Sequence, residues 1–172
     1  MQIRAAVLSQ MEQPRPYAQT RPIAIETVNL AGPGPGEVLV RITGAGLCHS
    51  DLSIVNGDRP RPMPMALGHE AAGIVEECGP GVTDLVRGDS VALVFVPSCG
   101  HCAPCMEGRP ALCEPGAAAN GAGTLLGGGR RLHRGDGSLL NHQVGVSCFA
   151  EYAVVSRGTL VKVDPELPAD VA

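Results

Sequence analysis

Hydrophobic residues along the chain fall into short runs, alternating or continuously apolar as strands are, and each run is closed by a turn signal. Ile3 to Leu8, Ile23 to Val28, Val38 to Ile42, Ala72 to Cys78, Val91 to Val96, Ala150 to Val155 and Leu160 to Val163 read this way. Gly32-Pro33-Gly34-Pro35-Gly36, Gly79-Pro80-Gly81 and Arg87-Gly88-Asp89 punctuate them, because Gly tolerates positive φ and Pro denies a ladder its donor. This rhythm predicts a barrel or a sandwich. Only Ser50 to Asn56 reads as a short helix, with Ser50 as N-cap and Gly57 as stop. Pro115 to Gly137, rich in Gly and Ala, reads as an exposed excursion with little regular structure. The stretch Asp164 to Asp170 resembles the start of an interrupted helix, so the expectation is a piece of a longer protein.

Composition narrows the class. The chain has 172 residues, room for one domain with a genuine core, and its 23 Gly and 15 Pro agree with a mainly β architecture. A net charge of -4 with scattered basic residues offers no counterion-releasing patch, and two Phe, two Tyr and no Trp offer no stacking platform, so no nucleic-acid partner is expected. No run approaches the ~20 apolar residues of a membrane span, and the first residues carry no signal-peptide cleavage pattern. The expectation is a cytoplasmic protein without a membrane partner. Seven cysteines, an odd number in a reducing compartment, point to metal before disulfides.

Four of them, Cys99, Cys102, Cys105 and Cys113, form C-x2-C-x2-C-x7-C, a spacing that lets thiolates converge on one tetrahedral ion. Ordering the ~15 backbones of this lobe costs about 15 to 30 kcal/mol, and its few apolar side chains cannot supply that. Structural zinc contributes roughly 10 to 16 kcal/mol in small peptides, the remainder falling to packing on the parent domain. Four sulfurs also close the coordination shell, which makes this site structural. Free thiols are the bland alternative, and the ferredoxin spacing of an iron–sulfur cluster is not matched.

A second group pairs Cys48, followed by Ser50 and Asp51, with Gly68-His69-Glu70. Taken singly, Cys48 reads as a buried small hydrophobe and His69 as a hydrogen-bonding structural residue. The surrounding sequence changes this. Gly68-His69-Glu70-Ala71-Ala72-Gly73 with Gly79 and Val82 resembles the G-H-E-x2-G-x5-G-x2-V signature of the zinc-dependent medium-chain alcohol dehydrogenase family. The likeness extends to Gly46-Leu47-Cys48-His49-Ser50-Asp51, Arg87-Gly88-Asp89-Ser90-Val91 and Phe149-Ala150-Glu151-Tyr152.

The resemblance implies a GroES-like, partly open β-barrel with a few short helices over residues 1–172, a zinc lobe at 99–113, and a Rossmann domain for NAD or NADP that is absent from this chain. It implies a catalytic zinc on Cys48 and His69 with Glu70 beside it, a third protein Cys just beyond residue 172, and Asp51 fixing the tautomer of His69. Ser50 would accept the alcohol proton, while His49 would meet the cofactor where many relatives have Arg. Ser53 stands where some relatives place the histidine that ends the proton relay. Phe95, Gln143 and Val144 would line the substrate pocket, Gln143 replacing an aromatic residue of some relatives, with a water-facing loop as its bland reading. The substrate would be a small alcohol or aldehyde. The 115–137 insertion resembles the longer-loop, often homodimeric branch. The chain alone is expected to be inactive, and a zinc-carrying binding module without enzymatic activity is the rival reading. Gly121 to Gly127 lacks the third glycine of a dinucleotide fingerprint and reads as a loop. Cys78 and Cys148 read as packing residues, and His101, His133 and His142 as solvent-facing or locally hydrogen-bonded.

Overall fold

The structure, a computed structural model, describes residues 1–168 and Val171. The strands are β1 (Gln2–Leu8), β2 (Ile23–Leu30), β3 (Glu37–Gly46), β4 (Met65–Ala66), β5 (Glu70–Cys78), β6 (Ser90–Leu93), β7 (Leu132–His133), β8 (Asn141–His142), β9 (Tyr152–Ser156) and β10 (Leu160–Lys162). The helices are α1 (Tyr17–Thr20), α2 (His49–Val55), α3 (Ala103–Met106) and α4 (Glu114–Ala122). One sheet runs β7-β2-β1-β4-β8 and the other β10-β6-β5-β3-β9. The chain just before β9 stitches them together, Phe149 O accepting from Ala6 N at 2.8 Å and Ala150 bridging Ala5. The result is a partly open barrel, one of the two architectures the run pattern allows and the one the family resemblance implies.

Strand alternation sorts the core. Leu39 and Val154 face Ile3, Ala5, Val7, Val28 and Leu30 between the sheets. Their neighbours Val38, Val40, Ala153 and Val155 face the opposite way, onto Val75, Val91 and Val146. A third cluster, Leu8, Ile54, Val55, Met65 and Leu67, seats α2 against the first sheet.

Three expectations need correcting. The helix is capped by Cys48 rather than Ser50, with the Asp51 carboxylate reaching back to the Cys48 N–H at 3.0 Å. Three further helices form; α4 and the buried Leu125 and Leu132 occupy the stretch read as an exposed excursion. Gly116 and Gly121, which lower helix propensity, hid α4, and Gly123 in the left-handed region at φ 67° ends it. In the terminal segment, Asp164 to Leu167 makes a turn closed by a 3.0 Å backbone bond, while Ala169 and Asp170 lie outside the described residues. Among the described residues no helix is long and apolar enough to cross a membrane.

His142, read as solvent-facing or locally bonded, is only 1 % exposed. Its Nε2 accepts from the Arg131 N–H at 3.1 Å, so the neutral ring carries its proton on Nδ1. Burial, with Arg130 and Arg131 adding to it, pushes the ring down to about 4 from an ordinary 6.5. The unfolded chain therefore binds the extra proton first as pH falls: stability is complete above about 6.5 and is lost progressively toward 4, by about 3 kcal/mol. His142→Gln keeps an acceptor for Arg131 and does not titrate. Urea midpoints compared at neutral and mildly acid pH should show a shallower acid limb in this variant; parallel limbs would assign the acid sensitivity elsewhere.

Candidate metal centres

The four lobe sulfurs lie within 4.8 Å of one another, and a tetrahedron with ~2.3 Å Zn–S bonds needs edges of about 3.8 Å. Backbone N–H groups already point at them: Cys99 and Gly116 donate to Cys113 Sγ at 3.2 and 3.3 Å, and Cys102 donates to Cys99 Sγ at 3.3 Å. A further N–H from His101 leads the set of bonds that draws the Cys99 thiol down to about 6, whereas desolvation pushes Cys105 up to about 11. Four thiolates so close require a compensating cation, so the donor set fits zinc. The lobe has little else to hold it: Met106 and Leu112 are exposed, and Cys113 is its buried anchor. His101 sits exposed, bonded through Nδ1 to Cys99 O at 2.7 Å.

The second set assembles at the end of a ladder. β3 and β5 pair down to Gly46↔Glu70, so the segments that leave those strands, with Cys48 on one and His69 on the other, emerge side by side. Gly68, at φ 99°, turns the chain into β5, and a Cβ there would run into the Phe149 backbone nitrogen. Cys48 Sγ, a His69 ring nitrogen and a Glu70 oxygen lie within 4.8 Å of one another, with His69 Nε2 and Glu70 Oε1 3.8 Å apart. One sulfur, one imidazole and one carboxylate make a borderline set suited to zinc with a position left open.

Asp51 organises this set from behind. Its Oδ1 accepts from His69 Nδ1 at 2.9 Å and its Oδ2 from the Cys48 N–H, so one carboxylate pins both ligand-bearing segments. This bond places the neutral ring's proton on Nδ1 and leaves Nε2 free to bind metal. Burial pushes the Asp51 carboxyl up, but the bonds from His69, Cys48 and Gln143 outweigh it and hold the group below its ordinary value. The same Asp51 bond, against desolvation, raises His69. The Ser50 N–H leads the contacts that hold the Cys48 thiol down.

Gln143 is neither water-facing nor free to grip a substrate. Only 1 % exposed, it accepts from the Gly68 N–H through Oε1 at 2.5 Å and donates through Nε2 to Asp51 Oδ1 at 2.6 Å. Ser147 Oγ fixes its backbone by accepting from Gln143 N at 3.0 Å, and both Ser147 and Val144 sit at positive φ. Gln143→Leu would orphan a buried N–H and strip Asp51 of a donor, an expected loss of about 2 to 4 kcal/mol in urea unfolding. A change within experimental error would show that water replaces the amide.

Cys48, Ser50, His69, Glu70, Phe95, Gln143 and Val144 share the wall of one cavity of about 610 Å³. Phe95 sets its ring edge-on to His69 at 5.9 Å. His49 lies outside it, exposed, its Nδ1 3.4 Å from Ser53 Oγ. Ser53 donates to the His49 carbonyl at 3.1 Å. Sequence reading passed over Arg59, Arg61 and Asn120 in the same wall; the alternation Arg59-Pro60-Arg61-Pro62 was the available signal for the first two.

A barrel that holds one closed thiolate lobe and one open, carboxylate-backed ligand set is the plan of a zinc-binding dehydrogenase domain. Residues 34–165 match the alcohol dehydrogenase GroES-like domain, and the chain belongs to that family. It is 44% identical over 152 residues to a putative alcohol dehydrogenase D of Mycobacterium tuberculosis, covering 88% of this chain and 41% of the relative. It is 41% identical over 177 residues to the NDMA-dependent alcohol dehydrogenase of Amycolatopsis methanolica, covering 100% of this chain and 44% of that protein. An alcohol dehydrogenase zinc-binding domain protein from Burkholderia ambifaria superposes with a TM-score of 0.88 at 36% identity, over 99% of this chain and 44% of the other. The chain thus spans about two fifths of the length of these proteins.

Proposed function

We propose that the chain is the catalytic domain of a cytoplasmic, zinc-dependent alcohol dehydrogenase that interconverts alcohols with aldehydes or ketones, using NAD or NADP held by a further domain. The observation that carries this reading is the convergence of Cys48, His69 and Glu70, braced by Asp51, on the cavity that also holds Ser50. Bound by those three residues, zinc would supply the Lewis acidity that makes a hydroxyl acidic near neutral pH. Within the chain, the Ser50 hydroxyl accepts the substrate proton at Oγ. Ser53 does not extend the path, since its own hydrogen is committed to the His49 carbonyl. Phe95 and Val144 exclude water and position the carbinol carbon. His49, on the first turn of α2, faces outward where the cofactor's phosphates would lie. The lobe of Cys99, Cys102, Cys105 and Cys113 keeps its metal for structure, and the full protein is a homodimer.

The test is a protein lengthened through the expected third cysteine and the cofactor domain, assayed with NAD and NADP on a panel of alcohols and aldehydes. Redox turnover by the long protein and none by the 172-residue chain supports the reading. A long protein that binds two zinc ions yet reduces no nicotinamide would leave the binding-module alternative standing.

A further inference from the structure

We propose that Arg59 and Arg61 form an oxyanion-binding site in the wall of the cavity over Ser50, so that the substrate is an alcohol or aldehyde carrying a carboxylate or phosphate group. This rests on the dehydrogenase reading above and names the substrate class for the same cavity.

The argument begins with charge. Eight of the thirteen cations, Arg4, Arg41, Arg87, Arg109, Arg131, Arg134, Arg157 and Lys162, each face a carboxylate. Arg130 is bonded to Asn141 Oδ1 and the Ala122 carbonyl, and Arg15 lies over the Tyr17 ring. Of the three arginines left over, Arg21, Arg59 and Arg61, two line this one cavity. Among the described residues neither of the two has a carboxylate within 4.0 Å. Two arginine side chains on one cavity wall, neither paired with a carboxylate, present positive charge that a bound anion would balance.

Hydrogen bonding points the same way. Arg61 Nε is buried without a partner, a donor that has lost water and gained no acceptor. Among the described residues the exposed Arg59 side chain bonds Ser50 Oγ, at 3.4 Å through Nη1, and no other acceptor. The acid in the cavity wall, Glu70, is 3.8 Å from His69 Nε2 and belongs to the metal set. Backbone chemistry holds both arginines ready: each precedes a proline, which restricts it to extended conformations, and Pro60 and Pro62 fix their own φ. Such a segment loses little freedom when a ligand binds. Because Arg59 touches the hydroxyl that would take the substrate's proton, the anion sits within a few bonds of the carbinol carbon. Ile54, Phe95, Val96 and Val144 supply the apolar part of the wall.

Amide and arginine side-chain NMR signals of the 172-residue chain can be followed while four probes are added: 4-hydroxybutyrate, 2-hydroxyethyl phosphate, butane-1,4-diol and inorganic pyrophosphate. At least one anionic alcohol should bind roughly tenfold more tightly than the neutral diol and shift Ser50, Arg59 and Arg61, with added salt narrowing the gap. The ratio between the two anions tells carboxylate from phosphate. Arg59→Gln with Arg61→Gln should bring the anions down to the diol, and Arg61→Lys should recover part of the preference. Equal affinity for anions and diol, or a preference that survives in the double variant, would overturn the proposal while leaving the dehydrogenase reading intact. Pyrophosphate binding most tightly through both arginines would reassign them to the cofactor's phosphates. No response to any probe would remove both the anion site and the substrate cavity.

Discussion

Replacing Cys105 with serine should release the lobe metal and unfold Cys99 to Cys113, the largest structural effect expected of any single substitution in this chain. With Cys113 as its buried anchor and Met106 and Leu112 exposed, the lobe has almost no apolar burial to set against the entropy of ordering it. Zinc bound by four thiolates contributes roughly 10 to 16 kcal/mol in small peptides, and three thiolates with a hydroxyl retain only part of that. Metal analysis should fall by about one zinc per chain, and proteases should cut within the lobe while the barrel survives, since β3, β5 and β9 pair without it. Unchanged metal content together with an uncut lobe would show that thiol packing alone holds this segment.

The second large effect belongs to His69. In the lengthened protein, His69→Ala should lower kcat/KM for any alcohol that turns over by about a thousandfold or more, since it removes a metal ligand and leaves the buried Asp51 carboxylate without its principal partner. Asp51→Asn is the milder companion: it keeps the ligands and loses the charge that holds the ring, so zinc affinity should drop about 10 to 100-fold. The 172-residue chain, lacking the expected third cysteine, should keep nearer one zinc than two after mild chelation. If His69→Ala retained both its zinc and its activity in the long protein, the second metal set would be elsewhere.

Sequence reading reached the seven longer strands and the four-cysteine lobe because their signals are local, whereas Cys48, His69 and Glu70 were singled out through the family resemblance. Alternating apolar runs such as Ile3 to Leu8 need only a sheet face to bury them, and C-x2-C-x2-C places its sulfurs within a few residues. What it missed is carried by long-range contacts. Gln143 meets Asp51 across a sequence separation of 92, and nothing near Gln143 announces a carboxylate to bind. His142 looked like a surface residue because what surrounds it comes from elsewhere in the chain: Ala66 of β4 pairs beside it, the Gly123 carbonyl takes its N–H, and the Arg131 N–H meets its ring. The cap at Cys48 went unread because a thiol is a weak acceptor, rarely considered beside serine. The α4 helix was obscured by Gly116 and Gly121, which lower helix propensity; it forms because Cys113 and Ala119 are held by packing.

The pairing of Gly46 with Glu70 separates two tasks that a loop-built site would confound. Cys48 and His69 are delivered by the end of the β3–β5 ladder, so their spacing is set by strand register there and by Asp51, and not by the connection from Asn56 to Met63. That connection nonetheless supplies part of the cavity wall. Insertions or exchanges there can alter which molecules fit while Cys48 and His69 stay where they are. Descendants of this domain are therefore able to drift in substrate preference, and engineers to graft new walls, without rebuilding the metal centre.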